Sequence, residues 1–179
     1  MPEIEIRPAT AEDIPALTVI DHSYTSDFVW QMEVQSGEKQ ISVNFREVRL
    51  PRSVRVEYPR RPDALEEDWE QRAAVLVAVH EGETVGYASL MLGVAPLTTW
   101  VSDLAVNRRY RRQGIGSALL LAAGEWGLQH DCRKLVLEMQ TKNYPAVHLA
   151  QKLGFEFSGY NDQYYANHDI GLFFSKTLR

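Results

Sequence analysis

Residues 104–120 read LAVNRRYRRQGIGSALL, and this stretch decides the fold. An apolar, β-type run ends at Val106, a basic turn with glycines at 114 and 116 follows, and an apolar helix begins about Ser117. A turn of this kind leaves backbone N–H groups free at the positive end of a helix dipole, and glycine lets an anion approach without a Cβ in the way. The spacing is not the dinucleotide GxGxxG, and the Gly-Lys-Ser/Thr of a nucleotide P-loop is absent. The turn reads as a cradle for a diphosphate of another kind, with a glycine-eased strand-to-helix turn carrying solvated arginines as the plainer alternative.

Outward from that turn, strands and helices alternate without repeats. EIEIRP reads as a strand, and Thr10 with Asp13 as a capping pair for a helix to about His22. Residues 24–71 are looser, with alternation at Ile41, Val43 and Phe45 and again at Val54, Val56 and Tyr58, so a long hairpin or a strand plus loop is expected. Residues 73–93 read as an antiparallel hairpin turning at EGET, TTWVSDLAV (98–106) as a further strand, and KLVLEMQ (134–140) as the strand after the helix. Asn143 and Pro145 suit a helix start and Gly154 its end, and FEFSGY and DIGLFFSKTL close the chain as strands. This is a mixed α/β chain, read as one domain over 1–179 with a variable segment at 24–72.

Composition narrows the function. Of 179 residues 45% are hydrophobic and 24% charged, which suits a globular chain that buries a core. The formal charge of −5 argues against broad nucleic-acid binding, although residues 41–61 carry six arginines against two glutamates and keep that reading open. No apolar run is long enough to span a bilayer, and the first residues have no signal-type core, so no membrane partner and a cytoplasmic location are expected. The single cysteine, Cys132, forms no internal disulfide and no cysteine-rich metal site, and reads as an inert, half-buried thiol; no metal is expected.

Arg111-Arg112-Gln113-Gly114-Ile115-Gly116 resembles the acetyl-CoA diphosphate loop, Arg/Gln-x-x-Gly-x-Gly/Ala, of the GNAT superfamily of N-acetyltransferases. NYPAVHLAQKLGFE (143–156) is similar to that family's later motif, an Asn followed by a helix ending in Leu-Gly-Phe. YRRQGIGSALL, the Glu125-Trp126 pair, LEMQ and GYNDQYY look similar to the streptothricin acetyltransferase-like branch. The resemblance implies a central mixed, mostly antiparallel sheet, flanked by helices, whose fourth strand (98–106) splays from the fifth (134–140). It implies that backbone groups of Leu104, Ala105 and Val106 hold pantetheine and polarise the thioester, although core packing explains the Leu104 and Val106 side chains equally well. It implies further that N–H groups from Arg112 to Ser117, with charge from Arg111 and Arg112, hold the diphosphate, and that Asn143 reaches the cofactor across the splay.

Transfer to an amine requires removal of a proton. Glu138 is the candidate base, because LEMQ resembles the strand that carries the base of ribosomal-protein N-terminal acetyltransferases; a paired structural carboxylate is the alternative. Asp103 is the competitor, and many family members carry a glutamate one position earlier, where this chain has Ser102. The position seven residues after Asn143, where relatives place a thiolate-protonating tyrosine, is Ala150. Tyr144, His148, Tyr160, Tyr164 and Tyr165 are candidate substitutes, with water as the default donor and no single tyrosine hydroxyl expected to matter. The acceptor is expected to be an amine of a small molecule, an antibiotic included, or of a peptide. Asp21, Asp27, Glu33, Asp162 and Asp169, with Tyr24, Phe28, Trp30, Tyr160, Tyr164 and Tyr165, would cradle it. A catalytically silent acyl-CoA sensor or interaction protein is the alternative, and a homodimer stays open.

Overall fold

The computed structural model describes residues 3–179. Seven strands form the main sheet: β1 (Glu5–Pro8), β4 (Ala74–His80), β5 (Glu83–Met91), β6 (Thr98–Val106), β7 (Lys134–Gln140), β8 (Glu156–Asn161) and β9 (Gly171–Thr177). Their order is β1-β4-β5-β6-β7-β9-β8. Neighbours are antiparallel except β6 and β7, which run parallel because α3 (Ile115–Gln129) crosses over between them. The mixed, mostly antiparallel α/β sheet implied by the sequence is the one observed.

Alternation along the strands divides the core in two. Leu76, Ala78, Leu90, Val101, Leu135, Leu137 and Met139 pack with Leu119, Ala123, Val147 and Ala150 of α3 and α4 (Tyr144–Lys152) on one face. Val75, Val77, Tyr87 and Ala105 pack with α1 (Ile14–Thr18) and Leu65 of α2 (Ala64–Asp68) on the other. Burying these side chains removes the apolar surface that drives the layers together. Gly127 lets α3 lie close on the sheet, since a Cβ there would stand 2.6 Å from Thr99 Oγ1.

One segment differs from its sequence reading, and another takes the first of the two forms expected for it. The helix expected to about His22 is only α1; the Thr10–Asp13 pair forms in the turn before it, with Asp13 accepting from the Thr10 N–H at 2.7 Å and clamped by Arg7 at 2.7 and 2.9 Å. Arg7 is the main reason the Asp13 carboxyl lies well below the usual range. The loose segment is a separate hairpin of β2 (Tyr24–Ser36) and β3 (Ile41–Val56), closed by Gly37 N–H to Gln40 O at 2.7 Å, and then α2. The hairpin is held at its base by the Trp30 N–H on Thr141 O at 3.0 Å and by Phe28 against Tyr144 at 4.7 Å. Cys132 is buried, more deeply than the half-buried thiol expected.

Candidate active site

The parallel pairing of β6 with β7 stops at Val101 opposite Leu137. Beyond it β6 continues to Val106 paired only with β5, and β7 continues to Gln140 paired only with β9. The strands therefore split, leaving one edge of Ser102–Val106 without a ladder partner, as expected for the fourth and fifth strands of the sheet. A bulge at Ser102 breaks the alternation of β6, so Trp100 and Asp103, three residues apart, share the face opposite Val101 and Leu104. On β7, Leu135, Leu137 and Met139 enter the core, which turns Glu138 to that same opposite face, at the first position past the pairing.

The glycine turn sits at the other end of the opening. Arg112 and Gly114 both take left-handed backbone, φ 64° and 87°, and Gly114 is the N-cap of the 15-residue α3. The Arg111 N–H bonds Arg108 O at 3.4 Å and the Ala118 N–H bonds Gly114 O at 3.0 Å; between them, the six N–H groups of 112–117 have no backbone acceptor. Such a row at a helix start fits a diphosphate. Arg111 is placed differently from the sequence expectation: its guanidinium donates to Val106 O at 2.8 Å, Ser23 O at 2.7 Å and Asp21 O, so it fastens the loop to the sheet and to the chain before β2. Arg112 remains for charge. Gln113 bonds Arg109 O at 3.2 Å, and Ile115 is buried in the core. Gly116 also makes room for Leu149 of α4, whose Cδ2 would lie 3.3 Å from a Cβ. Asn143 caps α4 through Oδ1 on the Ala146 N–H at 3.1 Å, which leaves its amide nitrogen as donor.

A cleft of about 710 Å³ opens on the face that carries Glu138. Glu138 has a side chain 1% exposed, accepts from Trp100 Nε1 at 2.7 Å and from the Tyr164 hydroxyl at 2.6 Å, and is ion-paired with Arg60. Burial, reinforced by this bond to Glu138, pushes the Tyr164 hydroxyl up to about 12, so it keeps its proton and stays a donor. Burial works against the Arg60 charge, but Glu138 and Asp103 outweigh it and the guanidinium is raised. Asp103 accepts from the Tyr58 hydroxyl, from Arg72 at 2.6 Å and from Ser102 Oγ at 3.0 Å, and Arg72 is itself fixed by Asp68 at 3.1 Å and Ser89 at 2.6 Å. Behind it, His22 Nδ1 lies 2.6 Å from Ile20 O, so Nδ1 carries the proton and Nε2 accepts from the Tyr87 hydroxyl at 2.8 Å; burial lowers the His22 pKa and keeps it neutral.

The structure gathers only part of the expected acceptor cradle at the cleft: Tyr164 lines it and Tyr165 lies against Arg60, which lines it too. Asp21 is bonded by Ser23, Asp27 by Ser53, Glu33 by Arg46, and Asp169 gathers Gln140 at 2.6 Å, Lys142 at 2.9 Å and Asn167 at 3.1 Å to hold the 162–170 loop. Tyr144 packs on Phe28 and His148, away from the cleft lining. Residues 58–73 supply the wall instead, with Tyr58, Arg60, Leu65 and Arg72. The sequence reading left these out of the site, and the one signal was the unexplained density of arginine before residue 62.

In the arginine-rich segment, Arg46, Arg55, Arg60 and Arg61 each meet a carboxylate. With the split, the loop and the cleft described, the decisive comparison is that the pattern of the Acetyltransferase (GNAT) family matches residues 43–155. The chain belongs to that family. As a GNAT protein it is an acetyl-CoA-dependent N-acetyltransferase. It is 28% identical over 168 residues to a streptothricin acetyltransferase of Streptomyces lavendulae, covering 90% of this chain and 86% of that one. The fold matches a crystal structure of nourseothricin acetyltransferase (TM-score 0.81, 22% identity, 98% of this chain and 99% of that one). It also matches a Bacillus anthracis str. Ames protein, described as a streptothricin acetyltransferase, in complex with acetyl coenzyme A (TM-score 0.75, 18% identity, 98% and 99%). No helix among the described residues is long and apolar enough to cross a membrane.

In this GNAT chain, Gly171 is what lets Tyr164 lie flat on β9: a Cβ there would stand 2.6 Å from Tyr164 Cδ1 and 2.8 Å from Cγ. Gly171→Ala is therefore expected to push the ring off Glu138. It should lower kcat/KM by about 10–100-fold, matching Tyr164→Phe, because a misplaced group near the chemistry costs that much. Steady-state kinetics of both variants check this, and an unchanged rate in either would show that the Tyr164 hydroxyl does not support the site. The expectation that every tyrosine hydroxyl is dispensable is revised for Tyr164 on this geometry.

Ala150 is fully buried against α3 and the sheet. Ala150→Tyr is thus expected to overpack rather than to supply an acid, costing about 1–3 kcal/mol. A thermal midpoint unchanged from the parent, with raised turnover, would contradict this.

Proposed function

We propose that the chain acetylates a primary amine of a small molecule, an antibiotic being one candidate, or of a peptide, and that Glu138 takes the amine's proton. The observation that carries this reading is the position of Glu138: it is the first residue of β7 past the strand pairing, buried, and turned into the cleft where the splay begins. Asp103 is the weaker base, because Arg72 is pinned at three points and Tyr58 takes its other oxygen.

Acetyl-CoA supplies the activated acyl group. The N–H row of 112–117 fits its diphosphate, with Arg112 adding charge and Arg111 holding the loop in place. The free edge at Leu104, Ala105 and Val106 would take the pantetheine arm and polarise the thioester carbonyl, and the Asn143 amide would reach it from α4. Trp100 and Tyr164 keep Glu138 oriented as it receives the proton. In this reading water protonates the departing thiolate in place of the tyrosine missing at Ala150, and Tyr144, whose ring packs on Phe28, is the side chain that would compete with it. The 179 residues act as one catalytic domain with 24–72 as its variable segment, in the cytoplasm, where Cys132 stays a thiol.

The relation to a streptothricin acetyltransferase directs the first choice of acceptor. The test is thiol release from acetyl-CoA across streptothricin-type antibiotics, polyamines and peptides with free amino ends. Release with at least one class is expected. Tight CoA binding with no release from any amine would leave the silent acyl-CoA sensor as the correct reading.

A further inference from the structure

The guanidinium of Arg60 occupies a pocket built like a ligand site for an organic cation. Its Nη2 pairs with Glu138 Oε1, its Nη1 donates to Ser102 O at 3.1 Å, and its Cζ lies 5.0 Å from the centre of the Tyr165 ring and 5.9 Å from that of Tyr164. A carboxylate, a carbonyl and two aromatic faces are the groups that recognise ammonium and guanidinium ions. Apart from the ion pair, the buried Glu138 Oε1 has no hydrogen-bond partner. The walls belong to β6, β7 and the loop held by Asp169, whereas the occupant comes from residues 57–63, which belong to no strand or helix. The Arg60 side chain is 33% exposed, so solvent already reaches it.

We propose that this pocket is the acceptor's cation subsite and that Arg60 is an internal stand-in for the substrate. The acceptor then presents a primary ammonium on a flexible aliphatic chain, which displaces the Arg60 guanidinium on binding. The exchange replaces one cation by another, so the buried carboxylate is never left without a counter-ion, a state that proteins disfavour strongly. Neutral and anionic compounds of the same shape cannot make the exchange. The proposal rests on Glu138 facing the acceptor, and its test involves binding alone.

Ethylguanidinium and n-propylammonium, without acetyl-CoA, are titrated by calorimetry and thermal shift into the parent protein, Arg60→Ala, and Arg60→Ala combined with Glu138→Gln. Arg60→Ala is expected to bind either probe saturably, about tenfold or more tighter than the parent, and the added Glu138→Gln to abolish this gain. Arg60→Gln carries the same comparison should Arg60→Ala not fold. Equal binding by parent and Arg60 variant, or a gain that survives Glu138→Gln, overturns the proposal. Failure of Glu138 as a base would appear in turnover and leave these titrations unchanged.

Discussion

Gly114→Asp should abolish CoA binding in a protein that still folds. Gly114 has φ 87°, and a side chain in that left-handed region costs about 1–2 kcal/mol. The larger effect is electrostatic, because the new carboxylate would stand among the six unpaired N–H groups of 112–117 and compete for them with the diphosphate. CoA affinity is expected to fall by more than about 100-fold, or about 2.7 kcal/mol. Gly114→Ala isolates the backbone strain and should lose no more than about tenfold. Calorimetry on both decides, and parent-like CoA affinity in folded Gly114→Asp would remove the loop from the binding site.

Much of this arrangement is legible in local sequence, and the reasons are local. The glycine turn, its strand and its helix are contiguous, so their chemistry follows from residues 104–120. The alternation of KLVLEMQ places Leu135, Leu137 and Met139 on one face and so sends Glu138 to the other. The Ser102 bulge has no such signature: strict alternation would separate Trp100 from Asp103, and the structure joins them. Arg60 is hidden for a different reason. It sits in an irregular segment whose partner lies on a strand far along the chain, so neither period nor spacing marks it, and within the 41–61 run it reads as one surface arginine among six. The acids of the expected acceptor cradle fail similarly, since Asp169 and Asp21 are engaged by contacts that only the folded loops create.

Glu138→Gln is expected to preserve CoA affinity while lowering acetyl transfer by about 10²–10⁴-fold, the range typical of a lost general base. The amide keeps the shape of the carboxylate and leaves the diphosphate loop untouched, so a loss of turnover alone separates proton removal from binding. Both variants break a buried ion pair, Glu138 with Arg60 and Asp103 with Arg72, so both should cost stability; Asp103→Asn is expected to do so with a much smaller loss of turnover. These two variants therefore assign the two buried carboxylates to different roles.

The most direct measurement is the pH dependence of kcat/KM for the parent and Glu138→Gln with the same amine acceptor. As pH falls, less of the acceptor is present as free amine, and the need for a base to remove its proton grows. A deficit in Glu138→Gln that is present throughout and widens toward low pH is expected, with CoA affinity equal in the two proteins. Superimposable profiles across the pH range would contradict it, and would make Glu138 a structural carboxylate.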